Sequence, residues 1–313
     1  MKKKILMFTS MLAILLLVAC SSEEKAGQEN TDGNLTVFTT IYPLQYFTER
    51  VGGDFVTTKT IVPPGSDAHS AEVDLKIMAE VAESDAFIHT GTGLESFADS
   101  VADSMKNEEV LIVNATENLN FINSKDVHSE EEDEEHSEEL DIDPHVWLDP
   151  KRSIVVAENI KNALIELNPD KEKDFENNFA LLKEELEKLD SEFQTVVNES
   201  KNKTFIVSHS AYGYWEDAYG LTQIGINGMA PTSEPSQKQL TEIIKLAKDN
   251  DLKYIFFEPN VSNKVAEIVK AETGTEALML NNLESLTDEN QNNNEDYFVV
   301  MRKNIEALEQ ALN

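Results

Sequence analysis

Three of the six histidines in this chain stand where an imidazole could be put to use. His145 lies in Asp143-Pro144-His145-Val146-Trp147-Leu148-Asp149-Pro150. Each proline presets its own backbone and biases the residue before it toward extended geometry, so the frame holds this ring on a stiff loop. His69 and His209 sit in loops directly after predicted strands, one on each side of that element. A lone loop histidine is more often a satisfied strand or helix edge, but three together suggest a shared purpose. Imidazole is the commonest metal ligand, and three neutral rings with one carboxylate match the donor set of a tetrahedral zinc-type site. Glu284, after the fourth predicted strand of the second half, is the candidate carboxylate. Glu258, directly after another strand, is its rival and reads otherwise as a hydrogen-bonded strand end. His89 closes a predicted strand and reads as a polar strand end before a group supporting the site. Ligating imidazoles must be neutral and free histidine titrates near 6.5, so metal binding is expected to weaken below about pH 6.

The rest of the composition narrows the chemistry. Cys20 is the single cysteine, which excludes an intrachain disulfide and a cysteine-based metal site. No H-E-x-x-H occurs, which weighs against a zinc hydrolase. Lys+Arg 26 against Asp+Glu 59 gives a net charge of -33 in 313 residues, so no nucleic-acid partner is expected, because little here could replace phosphate counterions. An acidic surface suits an exported protein that handles cations. Met1-Lys2-Lys3-Lys4 followed by the apolar run 5–18 has the form of a signal peptide ending at residue 19. The run closes Leu17-Val18-Ala19-Cys20, a bacterial lipobox pattern in which Cys20 becomes the lipidated first residue. Residues 20–34, polar with Gly27 and Gly33, read as a flexible tether.

The elements that must position the histidines are strands alternating with helical segments, which imply parallel sheets covered by helices. Four strands are predicted in each half. The expected fold is therefore α/β with two similar lobes, each a mainly parallel four-stranded sheet flanked by helices. Residues 35–168 form the N-terminal lobe and 201–313 the C-terminal lobe. Between them, Phe175, Phe179, Leu182, Leu186, Leu189, Phe193 and Val196 make one apolar stripe, so 169–200 read as one long rigid helix opening at Asn168-Pro169. The length leaves room for two cores, with a metal site in the cleft between lobes, since ligands of open α/β sheets gather at the carboxyl ends of strands. The run 126–143 carries eleven acidic residues with His128 and His136 and no lysine or arginine. It reads as a solvated loop or as a weak cation collector.

At these residues the chain resembles the zinc/manganese substrate-binding lipoproteins of bacterial ABC transporters, the TroA-like cluster A-I group, and within it the zinc-binding ZnuA/AdcA branch. The resemblance runs from about residue 35 to the C-terminus. It rests on Val62-Pro63-Pro64-Gly65-Ser66-Asp67-Ala68-His69, the proline frame of His145, Ser208-His209-Ser210-Ala211-Tyr212-Gly213-Tyr214, Ile255-Phe256-Phe257-Glu258-Pro259 and Asn282-Leu283-Glu284-Ser285-Leu286. It implies two histidine ligands from the N-terminal lobe, and a third ligand and an acidic fourth from the C-terminal lobe. These map onto His69, His145, His209 and Glu284. It also implies a monomeric, non-enzymatic receptor, anchored by lipid on the outer face of the bacterial cell membrane, which captures Zn(II) and passes it to an ABC-transporter permease. The family often has a His- and acid-rich loop where 126–143 lie. It commonly has proline before the first histidine, where this chain has Ala68. A Mn(II) or Fe(II) receptor is the alternative within the family, although a histidine as third ligand favours zinc. A zinc hydrolase and a surface adhesin are the alternatives outside it.

Overall fold

A computed structural model describes residues 34–123 and 142–313. The leader, Cys20, the tether, and most of the acidic run with His128 and His136 lie outside the described residues.

Two sheets carry the described chain. In the first, β1 (Leu35–Thr39), β2 (Val56–Thr60), β3 (Ala86–His89) and β4 (Leu111–Asn114) pair in the order β2-β1-β3-β4. In the second, β5 (Thr204–His209), β6 (Thr222–Asn227), β7 (Tyr254–Phe257) and β8 (Glu276–Met279) pair in the order β6-β5-β7-β8. Every pairing is parallel. In both, the chain leaves the first strand to one side and then crosses to the other, which opens a crevice at the carboxyl ends of β1/β3 and β5/β7.

Helices α1 (Tyr42–Gly52), α2 (Leu75–Ala82), α3 (Ala98–Ser104) and α4 (Pro150–Leu167) accompany the first sheet. The last begins directly after the histidine frame: Pro150 fills its first turn, and the Asp149 side chain accepts from the Lys151 N–H at 2.8 Å. Next comes α5 (Glu172–Glu199), 28 residues and about 42 Å long. The sequence places its start at Asn168-Pro169, but a 3-10 turn over Pro169–Lys171 intervenes and the Asn168 side chain caps nothing. The apolar stripe is core as its spacing requires, except that Phe179 is only half-buried and Val197, not Val196, is the buried residue of the last turn. Around the second sheet lie α6 (Gly213–Tyr219), α7 (Gln237–Asp249), α8 (Lys264–Thr273), α9 (Asp288–Asn292) and α10 (Tyr297–Leu312). Ser236 and Gln239 form both arms of a capping box that opens α7.

The cores differ from expectation. One apolar cluster runs through both lobes, from Val37 and Phe47 through Trp147, Leu186 and Phe193 to Trp215, Phe256 and Leu308. A smaller cluster covers the outer face of the second sheet, with Ile206, Ile255 and Val269. Strand β5 shows the division, because side chains alternate between faces of a strand. Phe205 and Val207 join the shared core while Ile206 joins the outer cluster. His209 follows the inward alternation, toward the other lobe. At the far end of the chain Tyr297 of α10 stacks on Tyr46 of α1 with centroids 5.8 Å apart, so the last helix packs against the first.

Candidate metal centre

His145 is held from behind. The Asp143 carboxylate accepts from the His145 backbone N–H at 2.9 Å and from ring Nδ1 at 2.8 Å, which commits Nδ1 to carrying hydrogen and turns Nε2 toward the cleft. The following turn is pinned as well. Trp147 Nε1 donates to the Asn282 carbonyl at 2.7 Å, and Tyr297 donates to the Trp147 carbonyl at 2.6 Å.

His209 closes β5, and its neighbour strand supplies its support. Glu258, just past the end of β7, accepts from His209 Nδ1 at 2.5 Å, from its backbone N–H at 3.1 Å and from Ser208 Oγ at 2.6 Å, all on Oε2. Tyr212 donates to Oε1 at 3.0 Å. Glu258 therefore lies behind His209 and orients it, a role sharper than either sequence reading of that residue. The arrangement is the carboxylate–imidazole pairing that fixes the tautomer of a metal-bound histidine.

His69 comes from the loop after β2. Asp67 accepts from the His69 backbone N–H at 3.1 Å and from Ser70 Oγ at 2.8 Å, which shapes the turn but leaves the ring untouched. Among the described residues no carboxylate hydrogen-bonds the His69 ring. Its neighbours Ser70 and Glu72 are exposed.

Glu284 follows β8, yet it is held largely by the first lobe. Its carbonyl accepts from the Tyr42 N–H at 3.0 Å, the Leu286 carbonyl accepts from the Gly65 N–H at 2.9 Å, and Ser285 Oγ donates to the Ser66 carbonyl at 2.6 Å. Leu283, fully buried, has φ 63, a left-handed backbone that a branched side chain rarely adopts. Asn281 Oδ1 accepts from its N–H at 2.8 Å and holds the turn that aims Glu284 inward. Two of the four candidate side chains come from each half of the chain, but in space only His209 is anchored wholly in the second sheet.

These four side chains offer ligand atoms that all lie within 4.8 Å of one another. Nε2 of His69 and of His145 are each 3.6 Å from Glu284 Oε1. Ligand atoms about 2.0–2.2 Å from one tetrahedral zinc would lie about 3.3 Å apart. Nε2 of all three histidines is buried with no hydrogen-bond partner. A buried polar atom left unpaired costs about 1–3 kcal/mol, so three aimed at one point need a cation to satisfy them. His89 takes no part: it stacks on Phe87 at 5.6 Å as a polar strand end.

The site's protons are unevenly placed. Burial pushes the His69 ring down to about 4, only partly offset by Glu284. Burial also opposes charge on His145, but the Asp143 carboxylate hydrogen-bonded to its ring and the Glu284 carboxylate 3.6 Å away prevail and raise it to about 9. Glu284 is buried as well, yet the three imidazoles hold it ionised down to about 2. At neutral pH the metal-free site thus keeps one proton on His145, balanced by Asp143 and Glu284, which a metal must displace. That moves the start of the pH dependence upward from the expected pH 6.

A cavity of about 480 Å³ opens along the loop that carries His69, walled by Ser66, Asp67, Ser70 and Glu72 on one side and by Pro231, Thr232 and Asn260 on the other. Its lining includes two carboxylates and no basic side chain, which favours an entering cation. Residue-by-residue reading found all four clustered side chains but not the orienting role of Asp143 or Glu258. Asp143 had a visible signal, an aspartate two residues before the histidine whose backbone it caps. The partnership of Glu258 with His209 depends on β5 lying beside β7, which no local pattern encodes.

Comparison with known proteins bears on the same metal. The chain is 35% identical over 312 residues to zinc-binding lipoprotein AdcA of Streptococcus pneumoniae, covering 99% of this chain and 61% of that protein. It is 31% identical to the high-affinity zinc uptake system protein ZnuA of Bacillus subtilis, covering 98% of this chain and 97% of that protein. The crystal structure of the Zn(II)-bound ZnuA-like domain of Streptococcus pneumoniae AdcA superposes with a TM-score of 0.76 at 33% identity, covering 90% of this chain and 99% of that domain. The chain thus spans about three-fifths of the AdcA relatives it matches and nearly all of the Bacillus protein. The model of the ZnuA family, described as zinc-uptake complex component A, periplasmic, matches residues 37–311, and the chain belongs to that family.

Proposed function

We propose that this chain captures Zn(II) outside the cytoplasm on His69, His145, His209 and Glu284 and delivers it to the permease of an ABC transporter. The observation that carries the reading is the convergence of three unpartnered, buried Nε2 atoms on one carboxylate oxygen. Three imidazoles and a single carboxylate suit zinc, whereas manganese prefers oxygen-rich coordination and binds such sites more weakly. Four protein donors fill a tetrahedron and leave no position for a reactive water, so the site serves capture and not turnover. The lobes are assigned to 35–168 and 201–313 with 169–200 as the rigid element between them. The lipobox ending at Cys20 supports a lipid anchor on the extracytoplasmic face, and the names of the relatives support both anchor and transport.

The reading is tested by offering metal-free protein equal zinc and manganese, desalting, and measuring what remains. One equivalent of zinc is expected, and predominant manganese would sink the proposal.

A further inference from the structure

The two oxygens of Glu284 do different work. Oε1 faces Nε2 of His69 and His145 at 3.6 Å and accepts from Asn282 Nδ2 at 3.0 Å. Oε2 accepts the backbone N–H of Ala68 at 3.1 Å. Ala68 is fully buried, so water cannot take over as donor. We infer that the Ala68 N–H is a specificity-determining group, which confines Glu284 to one-oxygen coordination and so biases the site toward a four-coordinate metal. The inference rests on the four residues being the metal site.

A carboxylate can offer a metal one oxygen or two. With Oε1 alone, Glu284 completes a tetrahedron with the three imidazoles, the arrangement zinc favours. With both, the site gains a fifth donor, a second oxygen, and moves toward the higher, oxygen-rich coordination that manganese favours. The Ala68 N–H opposes the second arrangement because Oε2 would have to abandon a buried, charge-assisted hydrogen bond in order to turn toward the metal. Asn282 adds to the bias by fixing Oε1 from the side. Ala68 immediately precedes His69, so one turn of chain delivers both a ligand and the donor that restrains its neighbour.

An amide-to-ester exchange at Ala68 in the full chain removes this N–H and keeps the methyl group. It is measured beside Ala68→Gly, which keeps the donor, and Ala68→Pro, which lacks it. Zn(II) and Mn(II) affinities are read by chelator competition, and coordination number by the visible absorption of the Co(II)-loaded protein, which is intense for tetrahedral cobalt and weak at five-coordination. The ester and proline variants should shift the ratio of manganese to zinc affinity toward manganese by about tenfold, the lower range for groups supporting a metal ligand, and weaken the cobalt absorption. Ala68→Gly should match the parent in both. Should Ala68→Pro fail to fold, the ester decides. An ester variant that binds zinc with the parental metal ratio and cobalt spectrum overturns the inference. A parent protein that retains neither zinc nor cobalt instead overturns the underlying site.

Discussion

His209 and His69 present imidazoles to the same point with ring centroids 6.3 Å apart, yet they are held in opposite ways. The first ends a strand in the interior of the second sheet, and Glu258 receives its ring and its backbone N–H together. The second rides on a loop whose following residues Ser70 and Glu72 are exposed, and its ring, unlike its backbone N–H on Asp67, is held by no carboxylate hydrogen bond among the described residues. A ligand already in place spends none of its coordination energy on ordering, whereas each loop residue that must be fixed costs about 1–2 kcal/mol. The site therefore combines a prepared half, His145 and His209 with their carboxylates, and a half completed by a loop.

The largest effect that would break this comparison comes from deleting the ligands themselves. His209→Ala should weaken zinc binding by more than the roughly 10- to 100-fold typical of a lost supporting group. His69→Ala should cost about tenfold less, because part of what that ligand contributes goes into ordering its loop. Equal losses in a chelator titration would show that the loop is as prepared as the strand.

The proton inventory sharpens the same contrast. His145 holds its proton up to about pH 9 in the metal-free site, so ligation must release it. Apparent zinc affinity should fall about tenfold for each unit that pH drops below 9, the slope of one displaced proton. His69, depressed to about 4, should add to the loss only in strong acid. Titration at pH 6.5, 7.5 and 8.5, with proton release followed by an indicator dye, would contradict this if affinity were flat. His69→Ala should preserve the slope in that range.

A smaller effect concerns the carboxylates behind the rings. Glu258→Gln and Asp143→Asn should each weaken zinc binding by about 10- to 100-fold with secondary structure unchanged by circular dichroism. Glu284→Gln offers the metal only a weak neutral oxygen in place of a carboxylate and should cost less than His209→Ala while letting an exchangeable water compete for the fourth position. Should Glu258→Gln prove harmless, the preparation of His209 would come from its strand alone.

Much of this was legible from the residues. Prolines flanking His145, the loop after a strand for His69, the strand end for His209, and the period of the α5 stripe all act locally, and local rules carried them. What was not legible depends on which elements become neighbours. Apolar periodicity shows that a helix face is buried without showing against what, so one core through both lobes read as two. Glu284 belongs to the last strand in sequence, but Tyr42, Gly65 and Ser66 hold its segment across more than 200 residues. Choosing between Glu258 and Glu284 likewise turned on strand order and on the left-handed Leu283, neither of which a motif displays.

The placement of Trp147 makes the site optically self-reporting. Its indole lies 5.4 Å from the His145 ring and is wholly buried, while Trp215 packs against Phe193 and Tyr212. A protonated imidazole quenches a neighbouring indole, so emission from the metal-free protein at neutral pH should be dim. Zinc displaces that proton, and emission should brighten in step with occupancy. Above about pH 9 the proton is already gone, and the brightening should vanish although zinc still binds.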